Sequence, residues 1–569
     1  MSSPVVSIDA RTGDPRAELG TLTTIDELNQ ICERAGAQFD GWRRTSRAER
    51  AKALGVIADA LDAAADDLVA IADAETALGE VRLRGEVGRT TGQLRFFGRV
   101  ITEGSYLEAT IDHADGSVAP PRPDLRLWLE PVGVVGVFGA SNFPFAFSSL
   151  GGDSAAALAA GAPVVTKAHS SHPQTATVVV DIARAALEAA GYPPDLIQVI
   201  HGREAGVGLV AHPVIKAVGF TGSLGGGKAL ARIAAERPVP IPFHGELGSV
   251  NPVVVTEKAA AERPDQIGQD LAGAVLLGAG QFCTKPGLLL VPEGKDGDRV
   301  VSALGTAITA APGFHLLDKG IAASYREGIA GLAGRDVVER LATGNGDGRQ
   351  VPAALHSVRA EDLDDEIAEE CFGPTTLVVR YGDQADLPAI LRRLDPSLTT
   401  TLQYAEGEPI ADLVDALAAQ SGRVIFNGVP TGVAVTWAMT HGGPWPATTS
   451  PYTSVGASAI RRFLRPVSFQ NAPEEVLPDE LRDGSVTIPT RIDGVLVLPT
   501  AADGAAGGPS TSSGTGEGGA GTGTTSDMAG TGVSALFAEQ LATVAALRDE
   551  LAALRRGPVL PPPPSETTD

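Results

Sequence analysis

The octapeptide Val132-Gly-Val-Val-Gly-Val-Phe-Gly139 decides how this chain folds. It is short, apolar and rich in β-branched residues between glycines, the pattern of a strand buried on both faces. The sequence period changes around it. From about residue 24 to about 110 the chain reads as helices, with Val56, Leu61, Leu68 and Ile71 marking an apolar stripe among Ala, Asp and Arg. Beyond it the pattern predicts a helix over 154–160, a strand over Pro163-Val-Val-Thr-Lys167 and a helix over about 173–190. A strand over Ile197-Gln-Val-Ile200, a short helix, a strand over Ile215-Lys-Ala-Val-Gly-Phe220 and a helix from about 223 follow. Strands alternating with helices at this spacing argue a parallel, helix-covered sheet. A second α/β block runs from about 250 to about 445, and no internal repeat is visible.

The rest of the composition bounds the class. The 569 residues have room for several domains, and 43% hydrophobic with 20% charged residues is an ordinary soluble balance. A net charge of −24 repels nucleic acid and anionic lipid, so neither is an expected partner. The N-terminus has no basic region followed by an apolar run, and no apolar stretch is long enough to span a bilayer. The expected location is the cytosol or a compartment reached from it. Three cysteines (Cys32, Cys283, Cys371) without CxxC or His-rich spacing point to a reduced setting and imply no metal site.

The C-terminal end is unlike the rest. Residues 501–531 are almost wholly Gly, Ala, Ser and Thr, which reads as a flexible linker. Residues 533–556 read as an amphipathic helix, with Val533, Phe537, Val544, Leu547, Leu551 and Leu554 on one stripe and Arg548, Asp549, Arg555 and Arg556 opposite. A plain appendix, a short coiled coil joining subunits, a partner-docking helix and an encapsulation peptide for a protein microcompartment shell all fit that pattern.

Cys283 lies in Gly278-Ala-Gly-Gln-Phe-Cys-Thr-Lys-Pro-Gly287, among small residues and beside a lysine, which suits a nucleophile better than a core position. Five other short motifs accompany it: Ala140-Ser-Asn-Phe-Pro144, Lys167-Ala-His-Ser-Ser-His-Pro173, Phe220-Thr-Gly-Ser-Leu-Gly-Gly-Gly227, Glu246-Leu-Gly248 and Glu369-Glu-Cys-Phe-Gly-Pro374. Each alone is weak. In this order and spacing they resemble the aldehyde dehydrogenase superfamily from about residue 20 to about 475.

The chemistry accounts for the residue types. Oxidising an aldehyde to an acid needs a nucleophile, a hydride acceptor and a base for water, and a thiolate suits the first role. The resemblance implies Cys283 as nucleophile, and Asn142 with the Cys283 backbone N–H as donors to the oxyanion. It implies Glu246 as general base; relatives that pass the acyl group to coenzyme A usually lack this glutamate, so its presence favours hydrolysis. His441, in Met439-Thr-His-Gly-Gly-Pro-Trp-Pro446, is placed to lower the thiol pKa or relay a proton, or is a loop histidine that only packs locally.

For the cofactor, Gly222, Ser223 and Gly227 form a Gly-rich turn into a helix that suits a pyrophosphate. The resemblance implies Lys167 on the adenosine ribose, and Glu370 with Phe372 on the nicotinamide ribose and ring. NAD-preferring relatives often carry a glutamate where this chain has Ser170. A hydroxyl there, with Lys167 and Arg203 nearby, favours NADP over NAD.

Loop segments including Phe426-Asn-Gly-Val-Pro-Thr-Gly432 and Arg462-Phe-Leu-Arg-Pro466 resemble the branch holding 2-oxoglutarate semialdehyde dehydrogenases and NADP-linked fatty aldehyde dehydrogenases. The semialdehyde is favoured, and Phe145, Phe147, Trp437 and Trp445 are expected to line the pocket for either substrate. The architecture implied is a Rossmann-like dinucleotide-binding domain (1–112 and 132–249), an α/β catalytic domain (250–457) and a small β bridge (113–131 and 458–475) pairing subunits into a homodimer or homotetramer.

Overall fold

In the computed structural model, which describes residues 3–499 apart from 431 and 485, Val134–Phe138 is the middle strand of a five-stranded sheet and every one of its residues is buried. Across that sheet the order is Ile197–Ile200, Val164–Lys167, Val134–Phe138, Ile215–Thr221, Phe243–Glu246. All neighbours are parallel, with Val135 opposite Val164 on one side and Ala217 on the other. Each return passes through a helix, as parallel neighbours require. Helices Gly152–Ala160, Pro173–Ala189, Arg203–Ala211 and Leu224–Glu236 lie close to the expected positions.

The helical N-terminal region resolves into Ile25–Arg44, Arg47–Ala63, Ala65–Thr76 and Glu80–Glu103. Thr24 caps the first through a reciprocal bond with Glu27, so two end donors are satisfied at once. Leu61 and Leu68 from the predicted stripe join Leu94, Phe97 and Leu158 in one core cluster. Ahead of these helices, Pro4–Ile8 pairs antiparallel with Pro15–Thr21, a hairpin the periodicity did not reveal.

A second sheet has seven strands in the order Glu339–Thr343, Ala354–Arg359, Thr375–Tyr381, Leu288–Pro292, Val253–Val255, Ser397–Gln403, Ser421–Phe426. Only its outermost pair, Glu339–Thr343 with Ala354–Arg359, is antiparallel. A third sheet runs Leu464–Gln470, Leu125–Pro131, Thr110–Asp112, Thr490–Ile492, Val495–Val497. It therefore starts before the bridge bounds read from sequence and takes in two strands beyond them. Three-residue strands such as Thr490–Ile492 are too short for periodicity to register.

The linker expected over 501–531 and the helix expected over 533–556 lie outside the described residues. Among the described residues, no helix is long and apolar enough to cross a membrane. The first sheet reverses its winding between Val134–Phe138 and Ile215–Thr221, and in open α/β sheets the crevice at the carboxyl ends of such strands takes the ligand. Glu246 ends the neighbouring strand Phe243–Glu246, on this side of the molecule.

Candidate active site

Cys283 follows a tight turn, Leu277–Gly280, in which Gly278, Ala279 and Gly280 take φ of 56°, 60° and 66°. A Cβ on Gly280 would stand 2.1 Å from the Gly373 carbonyl oxygen, so this position tolerates no side chain. The turn thereby presses the thiol loop against the 369–374 motif. Asn251 secures the loop from the other side, its Nδ2 donating to the carbonyls of Cys283 (2.8 Å) and Lys285 (3.0 Å).

Lys285 corrects the sequence reading. Its buried ammonium does not face the thiol but donates to the carbonyls of Cys371 (2.7 Å) and Thr375 (2.9 Å). The lysine is a strut between two motif loops. Burial pushes its pKa down, while Cys371 and Glu370 act to raise it.

Three reactive side chains meet at one point. His441 Nε2 lies 3.4 Å from Cys283 Sγ and 3.0 Å from Glu246 Oε1. Together their donor atoms all lie within 4.8 Å of one another, close enough to pass a proton without rearrangement. The Ser454 hydroxyl donates to Glu246 Oε2 at 2.7 Å. Both His441 and Glu246 are buried. His441 Nδ1 is buried without a hydrogen-bond partner, so Nε2 alone serves both neighbours.

The electrostatics divide the roles. Burial works to raise the Glu246 pKa, but the His441 charge, the hydrogen bonds from His441 and Ser454 and the Arg462 charge outweigh it and hold the carboxyl down to about 2. The Cys283 thiol is driven the other way, well above its ordinary value, by burial first and then by the negative charge and hydrogen bond of Glu246, with Glu370 adding to this and Arg89 opposing it. The resting thiol is therefore protonated, contrary to the expectation of a thiol ionised by its neighbours. A carboxylate close to the sulfur outweighs the cations around it.

Asn142 is buried beside the same loop, its Nδ2 donating to the Gln281 carbonyl at 2.9 Å. It caps no helix. Asn142, Glu246 and Cys283 all line one cavity of about 850 Å3 that also takes in Gly222, Ser223, Glu370 and Phe372. Ser223 caps the helix Leu224–Glu236 by accepting from the Gly226 N–H, which leaves other first-turn donors facing outward. A Cβ on Gly227 would come within 2.2 Å of Leu247, so glycine lets that helix sit close to the strand end. Glu370 accepts from the Ser249 N–H at 3.1 Å. Burial raises its pKa to about 7, against the pull of Lys285 and the Ser249 N–H.

A nicotinamide dinucleotide fits this lining: a helix N-terminus with glycine around it for the pyrophosphate, and one continuous space from there to the thiol. Lys167 ends the strand Val164–Lys167 and is largely buried, which lowers its pKa. The first turn of Arg203–Ala211 packs on it, since a Cβ at Gly206 would lie 3.4 Å from the Lys167 side chain. Ser170 is exposed on the loop after Val164–Lys167, and Arg203 is exposed at the start of the helix that follows the neighbouring strand Ile197–Ile200.

The four aromatic residues expected at the pocket differ in burial and neighbours. Phe145 is buried, and its backbone N–H donates to the Glu86 carboxylate. Phe147 stands 5.9 Å from the His441 ring. Trp437 and Trp445 do not belong to this group: they are 51% and 54% exposed, one set against Phe96 and the other beneath Lys228. Phe143 stands 5.2 Å ring to ring from Phe147 and 5.2 Å from Phe282. The described residues of 427–446 have little regular structure, so sequence position did not reveal which way a tryptophan there faces. Two further residues escaped the sequence reading: Arg89 and Arg423. The arginines sit in segments that read only as helix and strand.

Known proteins place the chain in a family. Residues 3–445 match the aldehyde dehydrogenase family. The chain is 44% identical over 500 residues to alpha-ketoglutaric semialdehyde dehydrogenase 2 of Azospirillum brasilense, covering 86% of this chain and 95% of that protein. It is 42% identical over 498 residues to alpha-ketoglutaric semialdehyde dehydrogenase of Acinetobacter baylyi, covering 86% and 94%. Among solved structures, an E. coli NADP-dependent enzyme superposes with a TM-score of 0.71 at 21% identity, over 82% of this chain and 94% of that one, a likeness of fold. Thiol, amide, carboxylate and dinucleotide cleft thus converge in a chain that belongs to the aldehyde dehydrogenase family.

Proposed function

We propose that this enzyme oxidises 2-oxoglutarate semialdehyde to 2-oxoglutarate, with NADP as hydride acceptor and water releasing the acid. The observation that carries the reading is the contact of Cys283 Sγ with His441 Nε2, itself bonded to Glu246, at the end of the dinucleotide cavity. The two relatives named for this semialdehyde, similar along nearly their whole length, supply the substrate.

The residues perform the following roles. The His441–Glu246 pair takes the thiol proton. Cys283 Sγ then adds to the aldehyde carbon. The resulting oxyanion accepts hydrogen bonds from Asn142 Nδ2 and the Cys283 backbone N–H, and losing one such donor typically costs about 10²–10³ in rate. Gly222, Ser223, Lys167, Glu370 and Phe372 would hold the dinucleotide, which when bound accepts the hydride and so turns the adduct into a thioester. Glu246 draws a proton from water, the hydroxide attacks the thioester carbon, and the sulfur leaves and regains its proton.

Support for NADP is the exposed Ser170 hydroxyl where a carboxylate would repel a 2′-phosphate, with Arg203 exposed after the neighbouring strand. Arg203 makes no ion pair with a described residue, so its charge is available. The reading also includes a homodimer or homotetramer, supported by the apolar outer strand of the third sheet, where Val495, Leu496 and Leu498 are exposed.

The test is reduced-dinucleotide absorbance on adding the semialdehyde, with NADP and NAD compared and Cys283→Ala as control. The expected result is acid formation without coenzyme A, a higher kcat/KM with NADP and no turnover by the control. Turnover only when coenzyme A is supplied, or none of the semialdehyde alongside rapid oxidation of long-chain aldehydes, would overturn the reading.

A further inference from the structure

Two arginines near the thiol have buried donors that find no partner among the described residues. Arg89 lies on the helix Glu80–Glu103, its guanidinium 4.8 Å over the Phe147 ring, and Phe147 in turn faces His441. One Arg89 nitrogen, Nη2, donates to the Val433 carbonyl at 3.2 Å, while Nη1 is buried without a partner. Arg423 lies on the strand Ser421–Phe426 and touches the loop that carries His441: its Nη1 reaches the Met439 sulfur at 3.9 Å, and its Nε and Nη2 are buried without partners.

Both guanidinium charges are close enough to Cys283 to interact with its thiolate, and desolvation weighs against each. Neither arginine lines the dinucleotide cavity, which Cys283 does. Both instead reach the surroundings of His441, Arg89 through the Phe147 ring and Arg423 through the loop that holds Met439. Buried, unpaired guanidinium donors are costly in a folded protein unless a ligand completes them. Glu86 offsets part of the Arg89 charge. Its Oε1 accepts from the backbone N–H groups of Phe145 and Ala146, while its Oε2 is buried without a partner among the described residues.

We propose that Arg89 and Arg423 together grip the carboxylate at the far end of the aldehyde, and so select ω-carboxylated aldehydes. This rests on the substrate reading above and assigns residues to it. In a five-carbon semialdehyde the carboxyl carbon stands four bonds from the aldehyde carbon, roughly 5 Å away when extended at ordinary carbon–carbon lengths. Arg89 Nη1 and the Arg423 Nε–Nη2 edge offer three donors, enough for both carboxylate oxygens and the adjacent oxo group.

The experiment compares kcat/KM for 2-oxoglutarate semialdehyde and for pentanal in the wild type, Arg89→Gln, Arg423→Gln and the charge-conserving Arg423→Lys. A charge-assisted hydrogen bond lost to substrate is expected to lower the semialdehyde-to-pentanal ratio by roughly 10- to 150-fold in each Gln variant, with a smaller fall in the Lys variant. Calorimetric binding of 2-oxoglutarate to each folded variant gives a second readout, expected to weaken in the same order. An unchanged ratio and unchanged 2-oxoglutarate affinity, in a wild type that oxidises the semialdehyde well, would overturn the clamp and leave the substrate reading standing. A wild type inactive on this semialdehyde but active on a shorter ω-carboxylated one, with the ratio still falling in the variants, would overturn the substrate and keep the clamp.

Discussion

A thiol held protonated at rest changes what Cys283 chemistry should look like in solution. Glu246 is the nearest anion acting on it, and after burial it is the largest cause of the raised pKa. Iodoacetamide alkylation of Cys283 in the cofactor-free enzyme is therefore expected to rise with pH around a midpoint well above that of a free thiol near 8.5. In Glu246→Gln the negative charge is gone, thiolate is easier to form, and that midpoint should move to lower pH. An unmoved midpoint would refute the electrostatic assignment. The same variant should form a thioester but hydrolyse it slowly, giving a burst of reduced dinucleotide followed by a steady rate lower by roughly 10²–10⁴. Glu246 also has a linkage consequence. Its folded pKa, about 2, lies below the ordinary 4.5, so its contribution to stability is present above about pH 4.5 and is lost as the pH falls through 2.

At the scale of the element, the informative part is the turn Leu277–Gly280 and its seat against Gly373. Periodicity placed the thiol in a loop and recognised its glycines, but not their purpose. Gly280 is needed on two grounds at once, a left-handed φ of 66° and a carbonyl where a Cβ would stand. Gly280→Ala is expected to lose about 1–2 kcal/mol from the backbone conformation alone, with further destabilisation from the contact at Gly373. Chemical denaturation should show the loss of stability, and kcat should fall because the thiol loop is displaced. Wild-type stability and rate in this variant would show that the turn can relax. The lysine two residues after Cys283 teaches a similar lesson. Adjacency in sequence suggested an activating charge, whereas the loop turns Lys285 away to tie two backbone carbonyls.

Across the whole molecule, the outer strand Val495–Val497 leaves a row of apolar side chains at a sheet edge, and unpaired edges of this kind invite pairing with another chain. Sedimentation is expected to give a dimer or tetramer, and Leu496→Asp to shift it toward smaller species while each subunit keeps its fold. A monomer in the wild type would remove the role assigned to this edge.

Much of this architecture was legible from residue order alone. The run at 132–139, the alternation after it and the ordered motifs around Asn142, Glu246 and Cys283 identify an α/β dinucleotide enzyme with a nucleophilic thiol, because strand burial and Gly-rich turns leave local patterns. What only the tertiary structure decided are the pairings between residues far apart in the chain: Cys283 with His441 across 158 positions, Glu246 with Ser454 across 208, and Arg89 and Arg423 with the same thiol. Such contacts set which groups are charged and which donors are left open. They depend on distances in space and on exclusion of water, neither of which is a property of neighbours along the chain.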